Sequence, residues 1–161
     1  MKEFDKTLIQ DIMIQHEERK VWQDNDTNEY LDNFILEEYT ELKEALNLSF
    51  LGESAFALAS ELGDVFYLYI KRITSSDEPI PLKVMMAVND AEEIAEIVGI
   101  DHNECARMKL IRNELKYPHL LFDGDIEYEK GRGIAKKQWE MMGGDKTFSY
   151  VYEQLIENLE S

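Results

Sequence analysis

The feature that most constrains this chain is a pair of carboxylates inside a helical stretch with almost no polar face. Residues 54–73, SAFALASELGDVFYLYIKRI, place apolar side chains nearly all round a helix, the pattern of an element buried among its neighbours. Glu61 and Asp64 interrupt it, and Leu58, Val65 and Leu68 share the face of Glu61. Residues 28–48 repeat the anomaly. On a wheel of about 100° per residue, Leu31, Phe34, Ile35, Leu42 and Ala45 fall within about 60° of Glu38, and Glu41 lies on the edge of the same stripe. Glu37 and Glu44 fall further round, on the solvent side. A buried carboxylate is costly unless it is paired, protonated or bound to metal.

Counting tests the ion-pair explanation. Between residues 21 and 70 one basic residue, Lys43, stands against eleven acidic ones, so salt bridges within this half cannot neutralise the carboxylates. Cations can. Two antiparallel helices that each supply carboxylates at i and i+3 bring four oxygen donors to one point, a set suited to Mg²⁺ or Mn²⁺. A di-iron carboxylate bundle needs Glu-x-x-His pairs, but Met13, Gly99 and Lys116 stand three residues before the three histidines.

The rest of the chain sets limits on fold and partners. Its 161 residues, 44% of them hydrophobic, suffice for one domain with a buried core. A net charge of −17 repels nucleic-acid polymers and anionic membranes, so a phosphate-bearing substrate requires local cations to reverse the sign. No apolar run reaches membrane-spanning length and the N-terminus has no signal-peptide core, which predicts a cytoplasmic protein. The single cysteine, Cys105, excludes an intrachain disulfide and a Cys-rich zinc site.

Apolar spacing of three and four, with few glycines and prolines, predicts an all-α domain over 1–161, with a core at about 5–118 and a C-terminal helical appendage at about 122–160 that packs separately. Helices are expected at 5–22, 28–48 closed by the 49–52 segment, 54–73, 82–98 ended by Gly99, 101–117 capped by Asp101, 127–142 and 145–159. FDGD at 122–125 reads as a turn, because Tyr128 and Ile134 replace the Gly and the Glu that a calcium loop requires. The basic run KGRGIAKK at 130–137 reads as a solvated helix face, and Trp139 as packing.

A second cluster carries the opposite charge. Arg107, Lys109, Arg112 and Lys116 fall within ten positions, and Lys109, Asn113 and Lys116 share one helix face that can hold an anion. Trp22, 16 residues before Glu38, is placed either to stack on a nucleobase or to anchor its helix in the core.

Taken together, EEYTELKEAL (37–46), ELGDVFYLYI (61–70) and KLIRNELKYP (109–118) resemble the MazG-like, all-α nucleoside triphosphate pyrophosphohydrolase superfamily, in the family's order and over about 80 residues. The resemblance implies an antiparallel helical core forming a homodimer or homotetramer. It also implies Mg²⁺-dependent cleavage of an NTP or dNTP to the monophosphate and pyrophosphate. Glu38, Glu41, Glu61 and Asp64 would be the metal ligands and catalytic groups. Lys109, Asn113, Lys116 and Tyr117 match the segment that contacts triphosphate or nucleoside, and Trp22 sits near the position of a tryptophan in the dCTP-type members. Three features depart from the family. Leu68 stands where a tyrosine is usual, Leu48 replaces a second tryptophan, and an extra helix lies between Asp64 and Lys109. Two further readings remain open: the same site acting on dUTP or phosphoribosyl-ATP, and a non-catalytic helical partner protein that binds metal structurally.

Overall fold

The computed structural model describes residues 3–49, 55–150 and 153, and within them it is helical between turns, with no strand. The first helical stretch is two helices, α1 (Lys6–Glu18) and α2 (Lys20–Asn25), where the apolar pattern predicts one. Between them Arg19 leaves the α region, at φ −107° and ψ 73°. No glycine or proline causes this break; tertiary hydrogen bonds do. The Arg19 side chain is fully buried, its Nε donating to the Tyr117 carbonyl at 2.8 Å, and the Val21 N–H donates to the Phe122 carbonyl at 3.1 Å. A straight helix would forgo both.

The next elements follow the expected boundaries closely. α3 (Asn28–Ser49) begins after Thr27, whose hydroxyl oxygen accepts from the Tyr30 N–H at 3.2 Å. The segment expected to close it after Ser49 lies outside the described residues. α4 (Ala55–Ser75) precedes the proline-containing turn, and α5 (Leu82–Val98) ends at Gly99 in the left-handed conformation, φ 76°. Its N–H donates back to the Ala95 and Glu96 carbonyls, the usual reason for glycine there. α6 (His102–Lys116) is capped by Asp101, whose carboxylate accepts from the N–H groups of Asn103 and Glu104, and it stops before Pro118. A short 3₁₀ turn (His119–Leu121), α7 (Tyr128–Met141) and a helical run at 144–150 follow among the described residues.

α4 is the central element, buried from Val65 to Arg72 and packed on α1, α3, α5 and α6. It runs antiparallel to α3, since Asp32 near the start of α3 pairs with Arg72 near the end of α4 at 2.9 Å. Against α6 it places Gly63 beside Cys105 and Asp64 beside Lys109. The C-terminal helices do not pack separately in their described part. Trp139 and Phe148 join the main core, and α7 and the 3₁₀ turn close a smaller cluster around Trp22, Phe122 and Ala135. No helix among the described residues is long and apolar enough to cross a membrane.

One close approach fixes where α4 and α6 meet. A Cβ added at Gly63 would lie 2.3 Å from the Cys105 carbonyl oxygen, a backbone atom that cannot swing away. Gly63→Ala is therefore expected to destabilise the protein by about 1–3 kcal/mol, lowering Tm by several degrees. A melting curve superimposable on wild type would show that this approach is not tight.

Candidate functional site

Glu38 projects from α3 and Glu61 and Asp64 from α4, and one carboxylate oxygen from each lies within 4.8 Å of the others. The antiparallel pairing produces this, because the i, i+3 pair on α4 faces the middle of α3. Oε2 of Glu38 and Oε2 of Glu61 are buried without a hydrogen-bond partner. Oδ1 of Asp64 is buried against the Lys109 ammonium at 2.7 Å, an ion-pair contact without hydrogen-bond angles. Glu41 is exposed and stands outside this trio, close enough to hydrogen-bond Glu38.

The electrostatics follow from crowding like charges where water is scarce. Burial, then the Asp64 charge and the Glu41 neighbour, push the Glu38 carboxyl from 4.5 up to about 9. Burial, then the charges of Asp64 and Glu41, raise Glu61 to about 7, although Glu38 and Lys109 pull the other way. Without a cation the cluster therefore retains protons that ordinary glutamates shed. Orphaned, converging carboxylate oxygens with raised proton affinity are a donor set that fits a hard divalent cation, which would supply the charge the protons now supply.

Beside the trio opens a cleft of about 670 Å³, its solvent-open mouth included. Glu38 and Asp64 form one end, with Lys109 and Asn113 of α6 next to them; Asn113 is buried and its Oδ1 has no hydrogen-bond partner. Aromatic side chains make much of the wall: Trp22, Tyr30, Phe34, Tyr67, Tyr117 and Tyr128. Trp22 fills both roles open to it. It is largely buried against Tyr117 and Phe122, with ring centroids 5.7 and 5.6 Å away, and it lines the cleft.

Of the residues singled out by sequence, Glu38, Asp64, Lys109, Asn113, Tyr117 and Trp22 thus line one cleft, with Glu61 beside them in the carboxylate trio. Lys116 does not join them. Its ammonium lies over the Tyr117 ring, 5.3 Å from the centroid, and it lines a separate groove against α7. Two turns beyond Lys109, about 10 Å along α6, it stands at the end of the helix and past the cleft. Sequence reasoning missed Asp26, Lys71 and Arg132, which also line the cleft. Lys71 reads as the end of an apolar helix, and Arg132 belongs to the run taken for a solvated face. Arg132 is exposed, stands 5.7 Å over the Tyr128 ring and has no carboxylate partner among the described residues.

Compared with family models, curated proteins and solved structures, the chain matches none. The geometry of the site therefore carries the functional reading.

The raised carboxyls make stability depend on pH with a definite sign. Folded Glu38 and Glu61 hold protons between 4.5, where the unfolded chain releases them, and about 9 and about 7 respectively. Stability from this source is present below that window and lost as pH rises through it. In EDTA, Tm should fall between about pH 5 and pH 8, the fall should be smaller in Glu38→Gln, and Mg²⁺ should restore the wild type at the upper pH. A metal-free Tm that stays level or rises over this range would contradict the electrostatics of the trio.

Proposed function

We propose that this protein is a divalent-cation-dependent nucleoside triphosphate pyrophosphohydrolase, releasing a nucleoside monophosphate and pyrophosphate. One observation carries the reading: the trio of carboxylates with orphaned, buried oxygens at the end of a cleft walled by aromatic rings. A triphosphate needs concentrated positive charge and a base needs flat apolar surface, and the two requirements are adjacent here. The motif resemblance at 37–46, 61–70 and 109–118 points to the same chemistry.

Glu38, Glu61 and Asp64 would hold Mg²⁺ or Mn²⁺, with Glu41 at the rim. When bound, such ions neutralise the triphosphate and acidify coordinated water. The reaction is attack of a water oxygen on the α-phosphorus with rupture of the bond to the oxygen bridging to the β-phosphorus. Pyrophosphate leaves with that bridging oxygen. Glu38, with one carboxylate oxygen on the ion, would orient the attacking water with the other. Lys109, held by Asp64 in the free protein, is the nearest cation of this chain to the trio and would bind a phosphoryl oxygen. Asn113 holds an unpartnered carbonyl oxygen beside it for a substrate donor, and Trp22 and Tyr117 exclude water from the nucleoside end. Such local charge is how a chain of net charge −17 takes up a polyanion.

Purified protein incubated with each common NTP and dNTP and Mg²⁺ should yield monophosphate and pyrophosphate in equal amounts on anion exchange. EDTA should abolish the reaction, and Glu61→Gln should lower kcat by about 100-fold or more with the fold intact by circular dichroism. Lys109→Met should lower kcat/KM. Products of diphosphate plus orthophosphate, or wild-type turnover by Glu61→Gln, would overturn the proposal.

A further inference from the structure

The cleft has a second polar pair, far from the carboxylate trio. Asp26, just after α2, and Lys71, on α4, are both nearly buried and both line the cleft wall. The Lys71 ammonium donates to Asp26 Oδ2 at 2.9 Å, and His16 Nε2 meets the same oxygen at 3.0 Å. Asp26 Oδ1 receives no hydrogen bond from any described residue. Lys71 has three N–H donors and spends one on Asp26; no other acceptor among the described residues takes the remaining two. Its charge rests instead against aromatic faces, 4.5 Å from the Trp22 centroid and 5.4 Å from Tyr67.

A buried ion pair that only braced α2 against α4 would gain by satisfying the spare donors of buried Lys71, since unmet buried donors are costly, whereas Asp26 Oδ1 is open to solvent and free for a ligand. Here a donor-only group and an acceptor-only group stand 2.9 Å apart, each with unused capacity, beside a tryptophan ring. Lys71 also lies two helical turns beyond Asp64, about 10 Å along α4, comparable to the reach from a nucleotide's α-phosphate to the outer edge of its base.

Building on the pyrophosphohydrolase reading, we infer that Lys71 and Asp26 read the edge of the nucleobase, and that the base they accept carries a carbonyl next to a ring N–H. Hypoxanthine, guanine and uracil have that edge; adenine and cytosine carry an amino group next to a bare ring nitrogen. Lys71 donates to the carbonyl oxygen and Asp26 Oδ1 accepts from the ring N–H, so both bonds are charge-assisted. With adenine or cytosine the pair must be used the other way round. The ammonium then meets a ring nitrogen recessed between its substituents, and the carboxylate meets a less acidic amino N–H. Both bonds weaken. The difference between two such edges is of the size by which a bidentate contact discriminates bases elsewhere.

Inosine and adenosine triphosphates test this directly, because they differ only on that edge. Wild-type kcat/KM should favour ITP by about 10-fold or more. In Asp26→Asn, checked for folding by its melting curve, the amide can donate where the carboxylate accepted, and the ratio of kcat/KM for ITP to that for ATP should fall by about 10-fold or more. Equal use of the two by wild type, or preference for ATP, overturns the inference without any variant. So does an Asp26→Asn that loses both substrates in equal proportion, the mark of a purely structural pair. If neither triphosphate is cleaved, the hydrolase reading fails on its own. Calorimetric binding of IMP against AMP in Mg²⁺ then decides: tighter IMP upholds the edge reading, and equal or absent binding ends it.

Discussion

Everything at the centre of this molecule is arranged around the repulsion between three carboxylates held within 4.8 Å of one another. Their cost has to be met by packing elsewhere, and the surroundings show how. α4 is buried along most of its length, α3 contributes fully buried Leu31, Ile35 and Leu42, and Gly63 lets α6 approach close enough for Lys109 to reach Asp64. The residue between Leu62 and Asp64 is thus a spacing device for Lys109, the one cation among the described residues that touches the trio. Proton retention on Glu38 and Glu61 removes part of the remaining charge. The apolar bundle and the site are therefore not separable: the helix that supplies two of the carboxylates also supplies the largest share of the core.

Much of this was legible because carboxylates on apolar helical faces contradict simple amphipathic patterning, and such contradictions mark function. Glu38, Glu61 and Asp64 were visible for that reason alone. Gly99, Asp101 and Pro118 marked ends that propensity and capping chemistry define locally. The break at Arg19 was not legible, because its cause is a pair of hydrogen bonds to Tyr117 and Phe122, almost a hundred residues on. Lys116 shows the limit of helical-face reasoning: positions seven apart share a face but stand about 10 Å apart along the axis, and Lys116, the last residue of α6, lies over the Tyr117 ring and out of the cleft. Asp26, Lys71 and Arg132 escaped notice because each looked ordinary in its local context, as a turn residue, a helix end and a solvated face. Only the fold brings them to one wall.

The charges of the cleft also explain the odd composition of the first half. Residues 21–70 contain one basic residue, yet the cations that serve the cleft come from positions 71, 109 and 132. The acidic helices build the carboxylate end, and positive charge is imported from α6, from α7 and from the last turns of α4. Partial neutralisation by protein cations would otherwise compete with a divalent ion for the same oxygens. Keeping lysines out of α3, apart from Lys43 stacked 4.8 Å over Tyr39, leaves Glu38 without a basic partner.

α4 then acts as a ruler. Asp64 at one point and Lys71 two turns later mark the carboxylate end and the far end of a single cleft, and because both sit on one buried helix their separation does not depend on loop conformation. The two ends differ in kind. At the first, orphaned oxygens await cations and the charge is negative; at the second, a lysine and an aspartate already satisfy each other in part and leave one acceptor oxygen and two donors to spare. A ligand that satisfied only the first end would be any polyphosphate with its metal. One that satisfied both must carry a flat ring with a donor and an acceptor side by side, the combination that the proposed reading assigns to a nucleotide.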